Sequence, residues 1–364
     1  MPMYRPALRF KEGEYTALAA LPEDMRREIT PFFVIPPLSE RDPEKGRSIR
    51  SDEIAYVTGE RIGRYWPMRS AYIDLRFVLP DIADEDVARL FRQAATKNEC
   101  LIPVVPALDA NRGVWKGIVR KEIPRVAIYI SHSDLDDELL SDALIAIDVD
   151  ASECELFVDF TGAELRPDIA AESVAASLEE LAMSQQWACV VFQASNYPIK
   201  NPADAGGECS VPRHEWEIYK QLLEAAVLPL ERLGYSDFGP DSGVIAFPKS
   251  AGGGKPIPHL RYTTPTHTLV VRGGREGNQS AEIRALLKKL TSRSEFSGAA
   301  FSVADNEMHA AADGNIGVGN ATTWRRWNMG HHFAAGVWGI GSITGHKFGV
   351  VAVSEAEKQI ALFE

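Results

Sequence analysis

Short apolar runs rich in β-favouring residues alternate with helix-like stretches along almost the whole chain, and this rhythm restricts the fold more than any other feature. Strand-like runs occupy residues 4–10, 31–35, 71–78, 101–105, 125–130, 155–160, 188–192 and 259–263. Helix-like stretches fall between them at 13–21, 52–65, 84–97, 135–147, 167–185 and 214–233, with a weaker one after Asp109. Strands joined through helices pair in parallel, because the crossover returns the chain to the same edge. Eight such strands close a barrel. The expected class is therefore α/β, a (β/α)8 TIM-like barrel with a C-terminal strand and helix extension. That extension holds strand-like pieces at 268–271 and 299–303, a helix at 280–290 and a terminal helix. A doubly wound open sheet is the alternative. No repeat, low-complexity tract or linker interrupts the pattern, so residues 1–364 read as a single domain. The long excursions at 197–212 and 235–258 are expected to overhang the barrel mouth.

Strand side chains alternate, so helices should cover the more apolar set and the other set should face the lumen. In the third strand this sends Ile73, Leu75 and Phe77 outward and Tyr72, Asp74 and Arg76 inward. The same rule turns Arg9 and Lys11 inward from the first strand, Tyr129 and Ser131 from the fifth, and Asp159 from the sixth. It also turns in Gln193 and Ser195 from the seventh and Arg261 from the eighth. Barrel interiors are usually filled by branched apolar residues, and buried charges need partners or a ligand. Among these positions the cations Arg9, Lys11, Arg76 and Arg261 outnumber the carboxylates Asp74 and Asp159. The surplus points to a bound phosphate or carboxylate, the alternative being a neutral ion-pair lattice completed by Glu14 and Asp237.

The formal net charge is −12, so the local surplus contrasts with the rest of the chain and bulk nucleic-acid or anionic-lipid binding is disfavoured. The start of the sequence lacks a signal-peptide apolar region, and no run approaches the roughly 18 apolar residues of a membrane span. The expected location is the cytoplasm. Cys100, Cys154, Cys189 and Cys209 are widely spaced without a C-x-x-C pair, which points to free thiols.

Near the C-terminus, Gly319-Asn320-Ala321-Thr322-Thr323-Trp324-Arg325-Arg326-Trp327 is followed by Gly330-His331-His332. Gly319 and Asn320 suit a turn, and Thr322 or Thr323 can cap a helix. Helical spacing then aligns Trp324, Asn328 and His331 on one stripe, with Arg325 and His332 on the next. Adjacent histidines point about 100° apart, so at most one reaches a site. Phosphate-loop, nucleophile-elbow and zinc-protease motifs are absent. The run Ala251-Gly252-Gly253-Gly254-Lys255-Pro256 reads as a connector, because its proline obstructs a following helix. Asp74, Asp159 and Asp237 with His259 or His331 form an alternative set for Mg²⁺ or Mn²⁺; the preferred reading assigns no metal site.

The opening Tyr4-x-Pro6-x-Leu8-Arg9-x-Lys11-x-Gly13-Glu14-x-x-Ala17-Leu18 and the blocks Ile29-Thr30-Pro31-Phe32 and Ile35-Pro36-Pro37 resemble the start of the phage and prophage beta protein family. Leu260-Arg261-Tyr262-Thr263, His267 with Arg272-Gly273, and the block from Gly319 to Arg325 with His331-His332 extend the resemblance over nearly the whole chain. Phe32-Phe33-Val34-Ile35 stands where a Leu-x-Glu-Ile type of run is more usual, so an acidic group is absent there. The resemblance implies one barrel-like unit and an association with phages, prophages and bacterial defence; it implies no established activity or cofactor.

These features frame a barrel mouth for an anionic small molecule or nucleotide, with Arg9, Lys11, Glu14, Arg76, Arg261, Tyr262, Trp324 and Arg325 binding it. The arginines would orient the anion, Trp324 would stack on a base or seal the pocket, and Asp74, Asp159 or His332 would move a proton, as in phosphoester hydrolysis. The rival is a noncatalytic module that binds a protein partner in phage–host conflict.

Overall fold

The computed structural model describes residues 4–42, 44–122, 125–245, 257–274 and 279–345. Its central sheet contains β1 (Ala7–Leu8), β2 (Phe32–Val34), β3 (Ala71–Asp74), β4 (Leu101–Pro106), β5 (Val126–Ser131), β6 (Cys154–Asp159) and β7 (Cys189–Ala194). The short β8 (Glu208–Pro212) belongs to a second sheet, and β9 (Leu233–Asp237) is the eighth strand of the first. All neighbours in the central sheet pair in parallel. The ring closes where Tyr4 bridges Tyr235 and the Arg5 N–H donates to the Tyr235 carbonyl at 2.9 Å. The fold is the expected (β/α)8 barrel.

The helices are α1 (Glu12–Ala20), α2 (Glu23–Arg27), α3 (Ser51–Tyr65), α4 (Asp84–Ala95), α5 (Gly113–Glu122), α6 (Asp137–Ile147), α7 (Pro167–Ser184) and α8 (His214–Glu224). With α2 as an extra turn, each of the first seven barrel strands is followed by a covering helix. The eighth covering helix is delayed. After β9 come β10 (His259–Thr263), β11 (His267–Arg272), α9 (Gln279–Thr291) and α10 (Val303–Asp313), and only then α11 (Ala321–Thr344). Strands β10, β11 and β8 make an antiparallel sheet, so the insertions after the seventh and eighth barrel strands join into one cap. The cap has its own core, including Leu260, Leu269, Ile283, Leu287 and Met308. Helix α11 serves both bodies: Trp324 and Trp327 enter the cap core, whereas Phe333, Val337 and Ile340 enter the core around the barrel.

This arrangement corrects the sequence assignment of the eighth strand. The run 259–263 is a cap strand paired antiparallel to β11, and the barrel strand is β9, whose sequence Leu-Gly-Tyr-Ser-Asp lacks an apolar run. Gly234 leaves room there for the Arg5 guanidinium, which a Cβ would approach to 2.6 Å inside the lumen. The piece 299–303 is also not a strand; it leads into α10, whose start is capped by the Ser302 side chain. Part of the 235–258 excursion, including the glycine run 251–256, lies outside the described residues.

The alternation rule holds in the strands and fails where they end. Ile73 and Leu75 join the outer core, while Phe32, Tyr72, Ile102, Val104, Phe157 and Val191 fill the lumen. Asp74 is in register with the lumen residues Val34 and Val104 and is fully buried. Phe77, expected outward, packs against the lumen cluster, because β3 ends at Asp74 and the chain turns.

Candidate functional site

The carboxyl ends of the barrel strands form the mouth, and Phe77, Phe238 and Ile245 help to close its centre. Beside it lies a cavity of about 120 Å³ walled by the loop after β9, by β10 and by the first turns of α11. Asp241, His259, Arg261, Trp324, Arg325 and Asn328 line it. Helix α11 begins here because the Asn320 side chain accepts the N–H groups of Thr322 and Thr323; the cap is Asn320 rather than either threonine. Gly239 has a φ of 66°, and a Cβ there would meet the Met329 side chain at 2.7 Å, so a glycine lets the loop after β9 pass under α11.

Asp241 organises the charges. Its carboxylate is 2.9 Å from Arg261 Nη1, 3.2 Å from Arg325 Nη1 and 3.7 Å from Arg9 Nη2. Arg325 Nη1 also donates to Glu14 at 2.8 Å, and Arg9 Nη2 donates to the Ser242 carbonyl at 2.7 Å. Burial alone would raise the Asp241 carboxyl, but Arg261, Arg325 and Arg9 outweigh it and hold the group well below the usual carboxylate range. Three guanidiniums against the Glu14 and Asp241 carboxylates leave one positive charge. His259 adds none at neutral pH: burial and then Arg261 push its imidazole down to about 4. Arg261 lies 4.7 Å above the Tyr197 ring, and its Nε is buried without a hydrogen-bond partner among the described residues.

A buried polar chain runs beneath the cavity. Asp237, on the outward face of β9, accepts hydrogen bonds from Tyr4 at 2.6 Å, from Tyr235 at 3.0 Å and from the Gly239 N–H at 3.0 Å. His332 Nε2 lies 3.0 Å from the same carboxylate, and its Nδ1 lies 2.7 Å from Thr263 Oγ1. Burial, only partly offset by Asp237, pushes the His332 imidazole down. The consistent pattern is a neutral ring that donates from Nε2 and accepts the Thr263 hydroxyl proton at Nδ1. The order Asp–His–Thr resembles a nucleophile triad, but His332 and Thr263 are 2% and 1% exposed, which leaves no approach for a substrate. His331 is buried separately between Asp305, at 2.9 Å, and the Thr263 carbonyl, at 2.7 Å.

The expected site residues thus fall into distinct groups. Arg9, Glu14, Arg261 and Arg325 converge, with Trp324 beside them; Arg261 arrives from the cap and not from a barrel strand. The lattice is completed by Glu14 and Asp241, with Asp237 committed elsewhere. Lys11 pairs with Glu40 at the edge of α1. Asp74 binds Arg76 at 2.8 Å, Arg76 stacks 3.3 Å from the centre of the Tyr129 ring, and Tyr129 donates to Asp159 at 2.6 Å. Asp74 and Asp159 therefore belong to a lumen network and His332 to the chain behind β9. Tyr262 is turned into the cap core, where its hydroxyl meets Asp305 and its ring stacks 3.7 Å from His331. Among the described residues, no group of three or more His, Cys, Asp or Glu side chains is placed to hold a metal ion, so the divalent-ion set does not assemble.

Three features escaped the sequence reading. Asp241 follows the strand that was not recognised, and a polar residue just past a barrel strand would have marked it. The buried pair Arg5–Glu155, 2.9 Å apart at the other end of the lumen, follows from the same alternation that named Arg9 and Asp159. Arg213 and Glu215, at the start of α8, are buried between the barrel and the cap with no spacing signal.

Strand order, closure and the joined insertions define a (β/α)8-barrel protein whose seventh and eighth loops build a cap over an arginine-walled cavity. The family model described as Beta protein matches residues 4–337, and the chain belongs to the beta protein family. Two solved structures show a distant likeness. A putative dihydrodipicolinate synthase family protein from Coccidioides immitis is 11% identical, with a TM-score of 0.34 over 64% of this chain and 67% of that one. Dihydrodipicolinate synthase from Bacillus clausii is 12% identical, with a TM-score of 0.34 over 90% of this chain and 94% of that one. No curated protein matches the chain. Among the described residues, no helix is long and apolar enough to cross a membrane.

Proposed function

We propose that this beta protein binds a small anionic molecule in the cavity beside the barrel mouth. The observation that carries the reading is the pair Arg261 and Arg325, which share the cavity wall with one net positive charge in an otherwise acidic protein. Each spends Nη1 on internal acceptors. The remaining guanidinium donors have no partner among the described residues, and such donors in a partly buried cavity favour an anion. Trp324 offers an apolar wall for the body of the ligand. Hydrolysis by Asp74, Asp159 and His332 acting together is not part of the reading, since Asp74 and Asp159 share a lumen network that His332, behind β9, does not join. For a phage-associated family we further propose that ligand capture serves phage–host conflict, by sensing or sequestering the molecule.

The test is thermal melting at constant ionic strength in chloride, acetate, phosphate and sulfate. A ligand that binds only the folded state raises the melting temperature in proportion to the logarithm of its concentration. The expected result is an anion-specific, saturable rise that Arg261→Met and Arg325→Met each abolish. Equal responses to all four salts, or a rise unchanged in both variants, would remove the proposal. Equal phage plating efficiency on hosts expressing the wild type and either variant would remove the conflict role alone. A rival protein-docking surface would draw on exposed apolar side chains such as Leu108, Ile145 and Met183.

A further inference from the structure

We infer that the cavity takes a small monocarboxylate with a flat apolar body, its carboxylate held by the Nε–Nη2 edge of Arg325 and by Arg261 Nη2, and its body against Trp324. The inference rests on the anion-binding reading and narrows it to one class of ligand.

Three observations carry it. The first is geometric. In both arginines the atom committed to the protein is Nη1: Arg261 gives it to Asp241 and to the Pro240 carbonyl at 2.9 Å, and Arg325 gives it to Glu14 and Asp241. The Nε–Nη2 edge that Arg325 has left over is the side of a guanidinium that meets a planar carboxylate with two parallel hydrogen bonds, and Arg261, whose Nε is buried, adds Nη2. The second is charge. One positive charge in surplus is neutralised by a carboxylate, whereas a phosphate monoester brings about −1.5 to −2 at pH 7 and would face the Asp241 carboxylate with charge to spare. His259, being neutral, does not make up the difference. The third is size. At about 120 Å³ the cavity is close to the roughly 150 Å³ of an engineered cavity that holds benzene, so a five-membered ring suits it. Asn328 adds a donor: its Oδ1 accepts the backbone N–H of Arg261 at 3.1 Å, leaving its amide nitrogen for the ligand.

The experiment is calorimetric titration of the full chain at pH 7.5 with furan-2-carboxylate, its neutral isostere furan-2-carboxamide, and inorganic phosphate. The expected result is 1:1 binding of the carboxylate, at least tenfold tighter than either other probe, with quenching of tryptophan fluorescence. Arg325→Met should weaken it at least tenfold. Phosphate binding as tight as the carboxylate, and lost in Arg325→Met, would overturn the monocarboxylate while leaving the anion site intact. Equal binding of the carboxamide, or binding of none of the three, would overturn both. The comparison among probes is made on the wild-type protein, so the conclusion holds even where a variant fails to fold.

Discussion

At the scale of single residues, the site is a set of mutually dependent charges. Asp241 compensates three guanidiniums, so Asp241→Asn should cost about 3 kcal/mol, the range for breaking a buried ion pair from one side. Urea denaturation measures this; a cost under about 1 kcal/mol would mean that the contacts behave like solvent-exposed pairs. Half-buried His259 and buried Glu215 set opposite pH dependences. The His259 imidazole is depressed from its ordinary 6.5 to about 4, so its contribution is complete above pH 6.5 and is lost as pH falls toward 4. In melts between pH 7 and 4.5, His259→Gln should therefore lose less stability than the wild type; parallel curves would contradict this. Glu215 runs the other way. Burial, only partly countered by Arg213, raises its carboxyl to about 7, so the folded state favours the protonated form and is penalised as pH rises through 7. Glu215→Gln should raise the melting temperature at pH 8.5 and leave it unchanged at pH 4.5; the same shift at both values would assign the effect to packing. These pairings were only half legible in the sequence. Alternation named Arg9, Asp74 and Asp159 for the interior, because a strand's faces are set by its period. Asp241 was not legible, because which carboxylate answers Arg261 depends on a loop path that no local pattern encodes.

At the scale of elements, helix α11 joins the two ends of the chain. It packs closely on α1, where a Cβ at Gly13 would come within 2.7 Å of the Thr322 carbonyl oxygen. That atom is backbone and cannot swing aside. Gly13→Ala should separate the helices, weaken the Glu14–Arg325 contact and cost about 1–3 kcal/mol. An unchanged melting temperature, with an unchanged anion response, would show that the helices can move apart freely. Helices with a clear first turn were readable to within a few residues, as at Asp84–Ala95, which opens on three acidic residues, and Pro167–Ser184, which opens on a proline. The errors came from strands. Residues 259–263 and 233–237 are both β-competent, and only the partner decides that the first lies antiparallel in the cap and the second parallel in the barrel. Helix α10 was missed because the run 299–303, with Phe301 and Val303, suggested a strand that overlaps its start.

At the scale of the whole molecule, the barrel was legible because strand and helix alternation is repeated, while the cap was not, because it is assembled from two insertions far apart in sequence. Helix α11 contributes to both the barrel core and the cap core, so we expect the chain to unfold as one domain. Calorimetric and van't Hoff enthalpies should then agree, and two resolved transitions would divide the chain into separate bodies. The central claim is that the cavity between cap and barrel holds an anion. The most direct test is anomalous diffraction from crystals grown with bromide. A bromide peak is predicted within about 3.5 Å of the guanidinium nitrogens of Arg261 and Arg325. Bromide bound at other sites, with none between these two arginines, would contradict the account and leave an ion-paired scaffold.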